Sequence, residues 1–273
     1  MKTRIIAAAV LLPLLLLMVL WLPEIVAAIV ISLLMGVAVY EMLYRTRLVR
    51  SGRLVIYTAV MAVAIGIWSF LGAVESYGYL LLLAFCIALF AEMMNNHVKI
   101  RFETISMCFV AGTIVPYMLS SLIRILMMFN GRHVIMIPFV IAFLSDAGAY
   151  FAGLKFGRHK LAPVVSPNKT MEGVLGGLIA SVVGMLIYGL IMQLAMDNRV
   201  NYALAILYGA AGSLAGVFGD LCFSIIKRQT GIKDYGNLIP GHGGILDRFD
   251  SMMTVAPLIE ALLILLPLAE EVW

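Results

Sequence analysis

EGVLGGLIASVVGMLIYGLIMQLAM, residues 172–196, carries one charge, at its first position, and is otherwise almost entirely apolar or small. About 20 apolar residues in helical form cross the roughly 30 Å hydrocarbon core of a bilayer. In that solvent every backbone N–H and C=O needs a partner within the protein, so a run of this length is a helix. Gly173, Gly177 and Ser181 fall four apart, and Gly212 and Gly216 repeat the spacing further on. Small residues placed this way let helix backbones approach closely. The stretch therefore predicts a packed, membrane-spanning helix.

The rest of the chain follows the same plan. Comparable runs lie at roughly 5–22, 24–44, 54–74, 77–95, 103–128, 134–154, 202–226 and 251–270, so nine spans are expected. They are too long and too evenly apolar for barrel strands. The expected fold is all-α, a polytopic helical membrane protein. The composition agrees: 63% hydrophobic and 12% charged over 273 residues, with mean hydropathy +1.05. Soluble domains run at about 45–50% apolar and about 25% charged. Three parts are read in order: N-terminal spans over 1–102, middle spans with an SPNKT loop over 103–171, and C-terminal spans over 172–273. The first 23 residues have the basic start and apolar run of a secretory signal. No small-residue cleavage site follows, so they are read as a retained first span. Cys86, Cys108 and Cys222 sit in apolar stretches, with neither metal-ligand nor disulfide spacing.

Charge gives the orientation. Of the 19 Lys and Arg residues, Arg132 and Arg199 fall on one side and Arg124 within a span; the rest fall on the other side. Basic loops stay in the cytoplasm. The N-terminus and the two large polar loops, 155–171 and 227–250, are thus expected there, with Glu270 and Glu271 outside. The net charge of +4 is a topology signal, and no nucleic-acid partner is read from it. No internal sequence repeat is seen, which counts against an inverted-repeat transporter.

Intramembrane charges are costly and usually functional. Glu41, Glu92 and Glu172 lie near span ends, and for Glu41 and Glu92 a solvated or paired end residue is expected. Arg124 is given no role. Asp220 lies about two turns inside its span, with Ser224, Lys227 and Arg228 on the same helical stripe. A bridge from Asp220 to Lys227 or Arg228 spans two turns, too far for an ordinary i,i+4 pair, so a polar track into the bundle is the better reading. In PGHGGILDRFD, residues 240–250, Asp247 and Asp250 are three apart on one face where the last span begins. Gly241, Gly243 and Gly244 allow close backbone approach. Their amides, leading into a helix start, are expected to hold an anion. A glycine turn with an aspartate cap would explain one of the two aspartates. The earlier loop supplies Lys155, Arg158, Lys160, Ser166, Asn168, Lys169 and Thr170, with Asp146 read as lying just inside its span. SPNKT is a cluster of phosphate-friendly donors before a helix start, and it is not a Walker A loop. Three inward carboxylates, Asp146, Asp220 and Asp247, beside two basic loops point to Mg²⁺ holding a polyphosphate at the membrane face. A lipid head group could reach that place sideways from the bilayer.

Ser224, Lys227, Arg228, Lys233, Asp234, Gly236, Pro240, His242, Gly243, Gly244, Asp247, Arg248 and Asp250 match, at every spacing, the signature of the phosphatidate cytidylyltransferases. SDAGAYFAG and SPNKTMEG also resemble family segments, with Met171 where Trp is common. The resemblance is strong over about 140–255 and general before that. It implies that CTP and phosphatidate give CDP-diacylglycerol and pyrophosphate, with Mg²⁺ alone or beside a second ion. It also implies a homodimer in the cell (inner) membrane, with a polar cavity facing the cytoplasm. On this reading Asp220 and Asp247 hold metal, supported by Asp146 and Asp250. The catalytic set is Lys227, Arg228, Asp247 and Arg248. Ser166, Asn168, Lys169, Thr170, Ser224, Lys233, His242, Gly243 and Gly244 bind substrate. Tyr150, Phe156 and Tyr235 are candidates for stacking on the base. A CTP-dependent polyprenol kinase, an ion-coupled transporter and a scaffold are the competing classes.

Overall fold

A computed structural model describes residues 13–72, 74–196, 199–239, 241 and 243–269. Residues 5–12 of the expected first span, Lys2 and Arg4, His242, and Glu270 with Glu271 lie outside the described residues; residues 13–20 are helical. The chain divides into two compact units. The first is Met1–Arg124 with Gln229–Phe249, and the second is Ile125–Arg228 with Asp250–Trp273.

The first unit holds α1 (Glu24–Tyr40), which continues into a π-helical turn at Glu41–Arg45, then α2 (Gly52–Leu71), α3 (Val74–Asn95) and α4 (Phe102–Leu119). A short α5 (Ser121–Leu126) follows at the division between the units. Pro116 lies in the last turn of α4. The span expected over 103–128 runs over Phe102–Leu126 with a local break at Ser120, one turn beyond Pro116. Just beyond the break, the Arg124 guanidinium bonds Ser120 and Ser121 and lies 4.5 Å from the centre of the Tyr117 ring. Met35, Leu43, Leu54, Leu89 and Ile123 are fully buried in this unit.

The second unit holds α6 (Gly131–Val134), α7 (Met136–Phe156), a two-stranded antiparallel hairpin of β1 (Lys160–Ala162) and β2 (Ser166–Thr170), α8 (Met171–Met196) and α9 (Tyr202–Gln229). The chain then passes through the first unit, where Leu246–Phe249 forms the one-turn α10, and returns as α11 (Met252–Leu265). Helix α8 is the run that opened the reading, and its small residues pack on α7. A Cβ on Gly177 would meet the Ser145 carbonyl at 2.7 Å, and one on Gly173 the Ala149 carbonyl at 2.9 Å. Gly148 and Gly176, outside the spacing read from sequence, are seated as tightly. Ser181 donates to the Gly209 carbonyl at 2.8 Å, tying α8 to α9. Gly216 and Gly219 seat α9 against Val255 and Thr254 of α11, and Thr254 donates to the Ala215 carbonyl.

Seven helices among the described residues are long and apolar enough to cross a membrane, and the protein is an integral membrane protein with an all-α fold. The expected last span, 251–270, is a helix of 14 residues. Leu266 leaves helical geometry (φ −139°) because Pro267 follows, and the residue before a proline is pushed towards extended conformations. The chain then pairs antiparallel through Ala269 with Val200. Among the described residues the hairpin supplies the only two strands of an otherwise helical fold. SPNKT is a strand that feeds directly into α8.

Candidate active site

The singled-out residues fall into two clusters, one in each unit. In the second unit the stripe on α9 is present. Ser224 Oγ donates to Asp220 Oδ1 at 3.1 Å. The other Asp220 oxygen meets Lys169 Nζ at 2.6 Å, and both side chains are about a quarter exposed (24% and 29%). Asp220 thus has an ion pair that comes from the hairpin, outside α9. Strand β2 positions the lysine, and Arg228 Nε fixes the strand by donating to the Val165 carbonyl at 3.0 Å. Lys227 Nζ lies 3.7 Å from Asp250 Oδ2, with side chains 12% and 13% exposed. Two cation–carboxylate pairs therefore stand on the last three turns of α9 and the segments packed against them. Partial burial makes such pairs stronger than exposed ones, because less water screens them.

The hairpin explains further residues. Thr170 is buried, and its hydroxyl accepts the Gly173 amide at 3.1 Å, capping α8. Glu172 accepts the Arg158 and His159 amides and meets His159 Nδ1 at 2.6 Å, closing the base of the hairpin. His159 was missed in the sequence, because its partner lies across the hairpin. Ser166 is half-buried and Asn168 exposed on β2. Asp146 departs from expectation. It lies midway along α7 and is exposed rather than inward, well short of the helix end at Phe156.

In the first unit the loop after α9 returns through Tyr235, Gly236 and Asn237 to the glycine segment. Asp247 is buried, and its Oδ2 accepts two amides, from Tyr235 at 2.8 Å and Gly244 at 3.0 Å. Gly243 has φ +90°, a conformation that disfavours side chains, and a Cβ there would lie 2.8 Å from Asp247 Oδ2. The amide of Leu246, at the start of α10, donates to Glu41 Oε2 at 3.0 Å. Of the glycine amides expected to hold phosphate, that of Gly244 is thus taken by a carboxylate of the protein itself, Asp247. Glu41, read as an ordinary end residue, is buried at 5% exposure. Glu92 is the paired end residue expected, 3.8 Å from Arg53. Tyr235 is fully buried and offers no face to a base, whereas Tyr150 and Phe156 are exposed. Lys233, Arg248 and Arg228 are exposed, and His242 lies outside the described residues.

Among the described residues no group of three or more His, Cys, Asp or Glu side chains stands together as a metal cage. Mg²⁺ needs none; it commonly takes one or two carboxylates and completes its shell with water and substrate phosphates. Asp220 and Asp250, partly buried with cations beside them, are donors of that kind.

Sequence comparison gives the class of protein to which these membrane helices and lysine–aspartate pairs belong. The chain belongs to the cytidylyltransferase family, whose sequence model covers residues 2–266. Among curated proteins it is similar to the phosphatidate cytidylyltransferases of Staphylococcus haemolyticus (49% identical over 135 residues), Staphylococcus saprophyticus (48% over 135) and Staphylococcus aureus (49% over 135). Each alignment takes in 50% of this chain and 50% of the relative, so the match spans about half the length of those proteins.

Proposed function

We propose that the protein transfers the cytidylyl group of CTP to phosphatidate, giving CDP-diacylglycerol and pyrophosphate, as a step in phospholipid synthesis. The observation that carries the reading is the pairing of Lys169 with Asp220 and Lys227 with Asp250 in a chain of the cytidylyltransferase family. Two polyanions must meet in this reaction. A phosphate oxygen of phosphatidate bonds to the α-phosphorus of CTP while the bond from that phosphorus to the β-phosphate bridge breaks. Pyrophosphate leaves with the electron pair. The attacking phosphate monoester has its second pKa near 6, so it is mostly dianionic at neutral pH and needs no dedicated base. Positioning and charge neutralisation are what the protein must supply.

Lys169, Lys227, Arg228, Lys233 and Arg248 serve as the cations for the triphosphate and the lipid phosphate, with Ser166 and Asn168 as neutral donors. Asp220 and Asp250 are the carboxylates best suited to Mg²⁺, and Asp247 orders the loop that carries Arg248. A divalent cation bound there would neutralise triphosphate charge and orient the α-phosphorus. The basic loops support a location at the cytoplasmic face of the inner membrane, and the family resemblance is the support for a homodimer.

The test uses purified protein with phosphatidate, Mg²⁺ and CTP labelled at the α-phosphorus. Label should enter a chloroform-soluble lipid with equimolar pyrophosphate release, and stay out when phosphatidate or metal is omitted. Transfer of the γ-phosphate to a polyprenol, with no α-label in lipid, would overturn the reading in favour of a kinase. In-membrane cross-linking tests the dimer.

A further inference from the structure

Glu41 is a buried acidic residue that the proposed reaction leaves without a task. It sits on a π-helical turn, Glu41–Arg45, at the end of α1. Single π turns within helices are uncommon and recur at functional sites. The turn faces the loop that carries Asp247 and Arg248. Glu41 Oε2 accepts the Leu246 amide at 3.0 Å, and the Ile245 amide also faces the carboxylate. The carboxylate lies so close to Gly236 and Gly244 that a Cβ on either residue would collide with it; at Gly244 its Cδ would be 2.6 Å away. Four residues on from Glu41, Arg45 Nη2 donates to Asn237 Oδ1 at 3.0 Å. The same loop is held from within by Asp247, through Tyr235 and Gly244. Thus one carboxylate from α1 and one from the loop divide the amides between them.

We infer that Glu41 is a positioning residue for the proposed cytidylyl transfer. Its carboxylate fills the place that an anion would take at the start of α10 and fixes the Gly236–Arg248 loop in register, so that Arg248 is presented to substrate. The role rests on the proposed reaction, but the loop contact can be read separately from activity. It also explains why Gly236 and Gly244 are glycines: the space a side chain would need belongs to Glu41. A carboxylate suits the position because it accepts from two amides at once and brings no donor to compete with them.

The experiment combines kinetics with amide hydrogen exchange on Glu41→Ala, Gly244→Ala, Glu41→Asp and the double variant Glu41→Asp/Gly244→Ala, with Glu92→Gln as control. Misplacement of a reacting group by about 1 Å costs on the order of 100-fold in rate. Glu41→Ala should therefore lose about 100-fold in kcat with a smaller change in KM for CTP. Exchange should speed up at Tyr235, Gly244 and Leu246 while the membrane helices stay protected. Gly244→Ala should lose activity through collision with the carboxylate. Shortening the partner in the double variant should recover at least threefold over Gly244→Ala alone. That recovery is not expected of a generally destabilised protein, and it remains readable if Glu41→Ala does not fold. Unchanged loop exchange with kcat within threefold of wild type in Glu41→Ala would overturn the inference. So would a double variant no better than the product of the single ones. If the wild type transfers no cytidylyl group, the proposed reaction fails, and loop exchange in Glu41→Ala still decides whether Glu41 holds the loop.

Discussion

Asp220 and Lys169 meet at 2.6 Å with each side chain about a quarter exposed. At such a place a lost charge is felt in the transition state more than in folding, because water can still solvate the partner left behind. Asp220→Asn should lower kcat about 100-fold or more, the scale seen when one electrostatic contact to a developing charge is removed. Lys169→Met, similar in length and uncharged, should act chiefly by raising KM for CTP; steady-state kinetics in detergent separates the two. Gly243→Ala must adopt φ +90° and crowd Asp247. Such strain costs about 1–3 kcal/mol, so the variant should fold and lose roughly tenfold in activity or more. Part of this was legible in advance. Asp220 and Ser224 are four apart on one helix, and periodicity alone brings them together. The partner of Asp220 comes from another element, and the amide donor to Glu41 is 205 residues away. No local pattern records such distances, so Glu41 looked like any carboxylate near a span end.

At the scale of elements, α7 and α8 stand close enough that their glycines touch opposing backbone. Gly176 would put a Cβ within 2.9 Å of the Gly148 carbonyl, and Gly148 would put one 2.6 Å from that of Gly176. Gly176→Leu should push the helices apart and lower the unfolding temperature in detergent by many degrees. Ser181→Ala should cost only about 0.6 kcal/mol, the mean for hydrogen bonds between membrane helices. The fourfold spacing of Gly173, Gly177 and Ser181 gave the packing face away, because helical period and small size are both local properties. The hairpin hid itself. Proline and asparagine are poor strand residues, and SPNKT pairs with only a three-residue partner. The short α11 was hidden by its composition, since apolar sequence continues past the point where Pro267 ends the helix.

For the whole molecule, charge concentrated in two loops is the feature that composition shows and single contacts do not. Arg158, Lys160, Lys233 and Arg248 are exposed, so the attraction proposed between such residues and a triphosphate would be screened by salt. KM for CTP should rise several-fold between 50 and 500 mM potassium chloride while kcat changes little. A KM independent of salt would mean that the partly buried lysines carry the nucleotide alone. The helical class and the wealth of spans were readable from hydropathy. The division into two units was not, because the segment Gln229–Phe249 leaves one unit for the other and returns. A reading that moves along the chain has no signal for that excursion.

Helix α9 has 28 residues and is therefore about 42 Å long, some 12 Å more than a typical hydrocarbon core. Asp220 lies about 27 Å from its first residue, nearly the thickness of that core, and Lys227 and Arg228 lie further along. A helix in this position is a depth gauge. In a thin bilayer Asp220 and Lys169 rise among hydrated head groups; in a thick one they sink towards hydrocarbon unless the helix tilts. Hydrophobic mismatch of this kind costs fractions of a kcal/mol per ångström. Vesicles made from lipids of stepwise increasing chain length should therefore give a graded turnover. The membrane whose building blocks this protein is proposed to make would then set, through its own thickness, the rate at which they are made.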